Sequence, residues 1–232
     1  PMFRDSVATP ADDAIDSEPT PVIIAGYGRF GQIVSRLLRA DGIEATLLDH
    51  DSGQIELTGR FGNKVFFGDA SRVQLLQAAG AEEAKLLVIA IDEREKAVQM
   101  VQAAKQFFPH LKTLARAYDR SHAYRLMEAG ADVVTRQTFG SALIMGEEAL
   151  LLLGYDPARA YRLMRSFKRH DEEGLRKLYD VWGDDHAYGL RVRQNIEELE
   201  RVLKDDSAEA EGHFRDAWQS MRDAETRRFS KD

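Results

Sequence analysis

Three glycines carry the first chemical signal in this chain. Gly26, Gly28 and Gly31 stand in Val22-Ile23-Ile24-Ala25-Gly26-Tyr27-Gly28-Arg29-Phe30-Gly31, a G-x-G-x-x-G spacing entered from an apolar, β-branched run. In such a turn the first glycine permits a tight bend and the second lets the backbone approach a pyrophosphate. The third lets helix and strand pack closely. The helix that follows offers unpaired N–H groups and a positive dipole end to phosphate. Tyr27, Arg29 and Phe30 belong to the same turn and count with its nucleotide contacts. Asp49 lies 23 residues after Gly26, where a carboxylate can accept two hydrogen bonds from ribose hydroxyls. An acid there favours an unphosphorylated ribose, hence AMP or NAD(H) over NADP(H).

The remaining candidates fall at the ends of apolar runs. Asp69, Asp92 and Arg116 join Asp49 in a ring of polar groups, with His50 and Ala70 beside them. Asp69 suits an adenine-edge contact or a cap for the helix expected at 71, and both roles can hold. Asp92 carries the same ambiguity. Arg116 either faces the ligand or forms a structural ion pair. His50 invites a general-base role, but no second catalytic group is placed near it by sequence. The six histidines show neither H-x-x-x-H nor H-E-x-x-H spacing, so no metal is expected.

Alternating strands and helices must hold these residues. Strands are expected over 21–26, 44–48, 64–67, 86–90, 112–116 and 132–134. Helices are expected over 29–41, 51–61, 71–79, 93–107 and 120–129. Ile33, Leu37 and Leu38 read as the buried face of the first helix. The pattern is that of a Rossmann-like, doubly wound parallel six-stranded α/β sheet over 21–135, whose ligands bind outside the carboxyl ends of the strands. Residues 1–20 read as a flexible linker. After 135 the pattern is helical only. An apolar helix over 138–153 suits packing on the sheet or on a second subunit. Asp156 and Pro157 read as N-cap and first residue of a basic helix over 157–169. Residues 136–170 thus form a crossover and dimerisation segment, and 171–232 a charged helical C-terminal extension. In it Val192, Ile196, Leu199 and Leu203 make a narrow seam suited to helix pairing.

Composition narrows the function. A net charge of −7 argues against general nucleic-acid binding. The absence of cysteine excludes thiol catalysis, thiolate metal sites and disulfides. No stretch approaches 18 consecutive apolar residues, and no signal-peptide pattern is present. The start at Pro1-Met2 suggests a fragment of something longer. A dehydrogenase normally adds a substrate domain that closes over the nicotinamide, and the charged helices after 135 suit that task poorly. Against the acidic background, Arg29, Arg36, Arg39, Arg136, Arg159, Arg162, Arg165, Lys168 and Arg169 read either as a localised anion site or as a solvated face.

The combination of the glycine turn with Leu48-Asp49-His50-Asp51, Val65-Phe66-Phe67-Gly68-Asp69-Ala70, Phe108-Pro109-His110-Leu111 and Ala115-Arg116-Ala117 resembles the KTN/RCK regulatory domains of potassium channels and transporters. Within that group it is similar, over roughly 21–170, to the carboxy-terminal domain of Kef-type (KefC-like) glutathione-gated potassium efflux systems of Gram-negative bacteria. The resemblance implies a homodimer with AMP or NAD(H) in each cleft and no enzymatic reaction. It implies a cytoplasmic domain attached to a membrane-embedded transport domain of an inner-membrane protein. Glutathione would hold the attached pathway closed, and glutathione conjugates of electrophiles would open it to potassium efflux coupled to proton entry. By motif position, Arg36, Phe61 and Arg136 match the family's glutathione contacts. A family asparagine falls near His170 or Asp171, a departure at that contact. Some family members also bind a flavodoxin-like ancillary quinone oxidoreductase; a form without it is equally compatible. A small NAD(H)-dependent oxidoreductase and a Trk-type nucleotide sensor are the alternatives.

Overall fold

Val22, Ile23, Ile24 and Ala25 are all buried, as expected of a strand covered on both faces. They form β1 (Val22–Ala25), the centre of a sheet in a computed structural model that describes residues 19–50 and 64–201. The other strands are β2 (Ala45–Asp49), β3 (Lys64–Phe67), β4 (Leu86–Ile89), β5 (Lys112–Ala117) and β6 (Val133–Arg136). The strand order is β3-β2-β1-β4-β5-β6 in a parallel sheet. Val22 pairs with Ala45 on one side and Leu86 on the other. The chain reverses its direction of travel across the sheet between β1 and β4, which is the switch point where such sheets take ligands.

Successive residues of β1 serve opposite cores, because side chains alternate across a strand. Ile23 and Ala25 join Leu48, Leu87, Ile89, Ala97, Met100, Val101 and Leu126 in the larger core. Helices α2 (Val73–Ala78), α3 (Arg94–Phe107) and α4 (Arg120–Glu128) supply that side. Val22 and Ile24 join Leu47 and Val88 in the smaller one, beneath α1 (Arg29–Ala40).

The face of α1 differs from expectation. Val34 and Leu38 pack on the smaller core, and Gly31 and Ser35 are buried, but Ile33 and Leu37 are exposed. Gly31 and Ser35 are one turn apart, and their small side chains bring the helix against the sheet along their own stripe. Ile33 and Leu37 then point away from it. Apolar identity at helical spacing marked a face without saying what would cover it. Through β6 the strand and helix bounds described otherwise agree within one or two residues. The helix expected over 51–61, Phe61, Leu203 and most of the linker lie outside the described residues.

Two compact units divide the chain at Thr135/Arg136. The first holds the sheet. Its lower edge is fastened by Asp132, which accepts from Thr113 N–H at 2.9 Å and from its hydroxyl at 3.0 Å, and pairs with Lys105 and Lys112. Burial pushes the Asp132 carboxyl up, but these donors outweigh it and hold the group well below the usual carboxylate range.

The second unit is helical. Helix α5 (Phe139–Leu152) packs on α6 (Pro157–Tyr179), and not one residue of α5 is buried. Asp156 caps α6 by accepting from Arg159 N–H at 3.0 Å, with proline in the first turn. The basic helix expected to end at 169 continues to Tyr179. His170, Gly174 and Leu178 extend a buried stripe at one-turn spacing, and no breaker interrupts it. That stripe meets a further helix, α7, over 185–201. A Cβ at Gly174 would lie 2.5 Å from the Asn195 side chain, so glycine there sets the closeness of the two helices. On α7, Val192, Asn195 and Leu199 are half-buried, whereas Ile196 is exposed. Val192 and Leu199 thus keep their expected places in the seam, and Asn195 stands where Ile196 was expected.

Candidate nucleotide site

The three glycines differ in what surrounds them. Gly26 has φ of 92°, and a Cβ there would sit 2.8 Å from the Ala90 carbonyl carbon and the Ile91 nitrogen. A Cβ on Gly31 would fall 2.0 Å from the Gly26 carbonyl oxygen. Gly28 differs: a Cβ would meet nothing within 4 Å. Its lack of a side chain is not demanded by packing and leaves open space in front of the α1 N-terminus. Gly28 is also the N-cap of α1, which has no side-chain cap and no acidic residue in its first turn. Backbone N–H groups facing open space are suited to phosphate oxygens.

Asp49 closes β2 and is almost buried. Its Oδ2 accepts from Tyr27 N–H at 2.6 Å, while Gly26 N–H donates to Leu48 O at 2.8 Å. The carboxylate expected to hold a ribose therefore also ties the glycine turn to the neighbouring strand. His50 Nδ1 lies 3.7 Å from Asp49 Oδ1, and the imidazole is largely exposed. Such a position suits a rim contact rather than a general base.

A cleft of about 310 Å³ opens at the carboxyl ends of β2, β3 and β4. Asp49, Asp69, Ala70, Ser71, Glu93 and Lys96 are among its lining residues. Asp69 Oδ1 accepts from Ser71 Oγ at 2.7 Å and from Ser71 N–H at 3.0 Å. The Ser71 hydroxyl, then its N–H, and to a smaller extent Lys96 hold the Asp69 carboxyl below its ordinary value. Asp69 thus shapes the turn before α2 rather than capping it, since the N-cap of α2 is Arg72. Lys96 Nζ stands 3.5 Å from Asp69 and 4.0 Å from Glu93. Lys96, Glu93 and Ser71 were not singled out from sequence. Their signal is position: Ser71 and Glu93 lie in the turns that follow β3 and β4, and Lys96 in the first turn of α3.

Arg116 ends β5 with its guanidinium almost buried. It donates to Ile91 O at 2.9 Å and pairs with Asp92. It also lies over the Phe30 ring, 5.5 Å from the centroid. The ion-pair role left open for Arg116 is present, and Phe30, in the first turn of α1, brings that guanidinium beside the helix N-terminus.

The second unit holds another polar group. Arg136 pairs with Asp171, both side chains being mostly buried, and the guanidinium stacks on Phe139 at 3.8 Å. His170 Nε2 donates to Asn195 O at 3.0 Å. Three of the residues matched to glutathione contacts, Arg136, His170 and Asp171, therefore share the start and middle of one helical unit. Arg36 is exposed on α1 in the first unit. In the basic stretch, Arg159 and Arg165 lie over Tyr155 and Tyr161. Among the described residues no group of three or more histidines, cysteines or acids could hold a metal.

Comparison with known proteins identifies the scaffold. Residues 22–137 match the TrkA-N domain family, and residues 141–223 match the KefB C-terminal domain of potassium efflux systems. The glutathione-regulated potassium-efflux system protein KefC of Escherichia coli is 39% identical over 207 residues, covering 89% of this chain and 33% of that protein. This chain therefore spans about a third of that relative's length. The Kef C-terminal domain of Shewanella denitrificans, solved in an AMP-bound form, is 50% identical with a TM-score of 0.65, covering 70% of this chain and 99% of the other. The TrkA-N domain of the inner membrane protein YbaL of Escherichia coli shares the fold, with 24% identity and a TM-score of 0.53, covering 55% of this chain and 95% of that one. The chain belongs to the TrkA-N (KTN/RCK) family and, within it, to the Kef C-terminal domains, which are nucleotide-binding regulatory domains and not enzymes.

Proposed function

We propose, with that membership as premise, that the chain is the cytoplasmic regulatory domain of a bacterial inner-membrane potassium efflux system. It holds an adenine nucleotide, AMP or NAD(H), in the cleft of its first unit and responds to glutathione and glutathione conjugates. The observation that carries this reading is the open space in front of Gly28, beside Arg116 and the Asp49 carboxylate, in a domain half identical to one solved with AMP. Backbone N–H groups of the 26–31 turn would receive phosphate. Asp49 would accept the ribose hydroxyls, and Asp69 with Ala70 would border the base.

Glutathione carries two carboxylates and one ammonium. Arginines bind such an anion through charge-assisted, partly bidentate hydrogen bonds. Arg36 and Arg136 are the assigned arginines, with His170 and Asp171 beside Arg136 and Phe61 as the aromatic that discriminates a bulky conjugate. Two features support an assembled, dimeric site: the apolar helix α5, none of whose residues is fully buried and whose Ile144, Met145 and Leu152 are exposed, and the exposed Ile33 and Leu37 on α1. The same dimer would be joined to a membrane-embedded transport domain, and an ancillary quinone oxidoreductase remains compatible. A ligand moves the gate only by its differential affinity for the two states, about 1–3 kcal/mol of coupling in typical cases.

Thermal denaturation of the purified chain tests the nucleotide and the signal together. A ligand at a hundred times its Kd stabilises the folded state by about 2.7 kcal/mol. AMP or NAD(H) should raise Tm, and glutathione or a bulky conjugate should raise it further in nucleotide-loaded protein. A response to nucleotides with none to glutathione would indicate a nucleotide sensor of the Trk kind instead.

A further inference from the structure

The carboxylate of Asp92 is 90% exposed, yet it is held by a guanidinium that is only 8% exposed. This asymmetry matters because of where the pair sits. The nitrogen that meets Asp92, Arg116 Nη2, also donates to Ile91 O at 2.9 Å, and the guanidinium is beside Phe30 in the first turn of α1. That turn has no side-chain cap and no acid of its own. The only anion that the described residues place on Arg116 is Asp92. A phosphate at the open face of Gly28, two residues before Phe30, would be attracted to the same guanidinium.

We propose that Asp92 is a built-in competitor of the nucleotide's phosphate for Arg116. It lowers phosphate affinity and keeps the arginine oriented between binding events. The inference rests on the nucleotide reading above and assigns Asp92, counted from sequence among the nucleotide contacts, the opposite sign. The chemistry is an exchange of one charge-assisted hydrogen bond for another. Exposure of Asp92 makes the exchange easy, because the displaced carboxylate returns to water with little burial lost. Arg116 need not move, since the Ile91 carbonyl continues to hold it. The effect is confined to the phosphate end. The base and ribose meet Asp49, Asp69 and Ala70, none of which touches Arg116 in the contacts described.

The test compares AMP with adenosine on the full 232-residue chain by titration calorimetry, for wild type, Asp92→Asn, Arg116→Gln and the double variant. An ion pair of ordinary strength, open to water on its carboxylate side, predicts that D92N binds AMP about three- to fivefold more tightly. Adenosine binding should be unchanged, and R116Q should erase the gain in the double variant. AMP affinity unchanged or weakened in D92N would overturn the proposal. So would an equal gain for adenosine, or a gain that persists without Arg116. If wild type binds no adenine nucleotide at all, the nucleotide reading fails and this inference fails with it. If wild type binds AMP and D92N has no effect, this inference alone falls.

Discussion

The two units of this chain place their apolar residues in opposite ways. In the first, the sheet is covered on both faces, and Ile23, Ile24, Leu47, Leu48 and Leu87 are wholly buried within the chain. In the second, Phe139–Leu152 is among the most apolar segments, yet none of it is buried. Burial of apolar area contributes about 25 cal/mol per Å² wherever it occurs. Phe139, Leu143, Leu150 and Leu151 are only half-buried, so much of the apolar area of this helix is left uncovered by the described residues of its own chain. The first unit covers its apolar residues by itself, whereas the second leaves an apolar face open, as the proposed dimeric regulator requires.

The largest effect should come from filling the tightest of the glycine positions described in the first unit. Gly31→Ala places a carbon on the Gly26 carbonyl, and urea unfolding should show a loss of about 3 kcal/mol or more. Gly28→Ala, in open space, should leave stability within about 0.5 kcal/mol while weakening nucleotide binding. Equal destabilisation by both would remove the distinction between a packing glycine and a ligand glycine.

On the other unit, Met145→Asp on the exposed face of α5 should weaken self-association about a hundredfold. Sedimentation measures this, and the unfolding transition of the first unit should stay unchanged. A dimer that survives would mean that α5 is covered by something other than a second copy.

Asp132→Asn removes the anion shared by Lys105, Lys112 and Thr113, and should cost about 2 kcal/mol by denaturant titration. The sign follows from its depressed titration. Its contribution is present above the unfolded carboxylate value and is lost as pH falls through the lower folded one. Stability at neutral pH equal to wild type would contradict the fastening role.

The smallest effect concerns His122, buried between α3 and α4. Tyr118 N–H donates to its Nδ1 at 3.1 Å, so Nε2 carries the hydrogen and donates to Arg94 O at 3.1 Å. Burial holds this imidazole below its ordinary value of 6.5. Its neutral form is therefore the stabilising one. Its contribution is whole above pH 6.5 and declines as pH falls toward the lower folded value. Wild type should lose up to about 1 kcal/mol relative to His122→Gln between pH 7.5 and 5, and parallel pH profiles would refute this.

Much of the first unit was legible because its signals are local. The G-x-G-x-x-G turn, the acid after β2 and the period of the strands each follow from sterics within a few residues of chain. The site was legible only as a rim. Asp49, Asp69 and Arg116 fall at strand ends, but the bonds of Asp49 to Tyr27 and of Arg116 to Asp92 connect parts of the chain that no periodicity links. The same limit explains Ile33 and Leu37. Spacing identifies an apolar helix face, while Gly31 and Ser35 decide which face meets the sheet. The extension of α6 to Tyr179 was missed because its buried stripe, His170 and Gly174, is made of residues that do not read as hydrophobic.

The most direct measurement is calorimetric binding of glutathione and of a bulky glutathione conjugate to the nucleotide-loaded dimer, beside Arg136→Ala. The account predicts that both ligands bind to wild type and that the variant loses both. Dimeric, nucleotide-loaded protein that binds neither would contradict the assignment of a glutathione-responsive regulator.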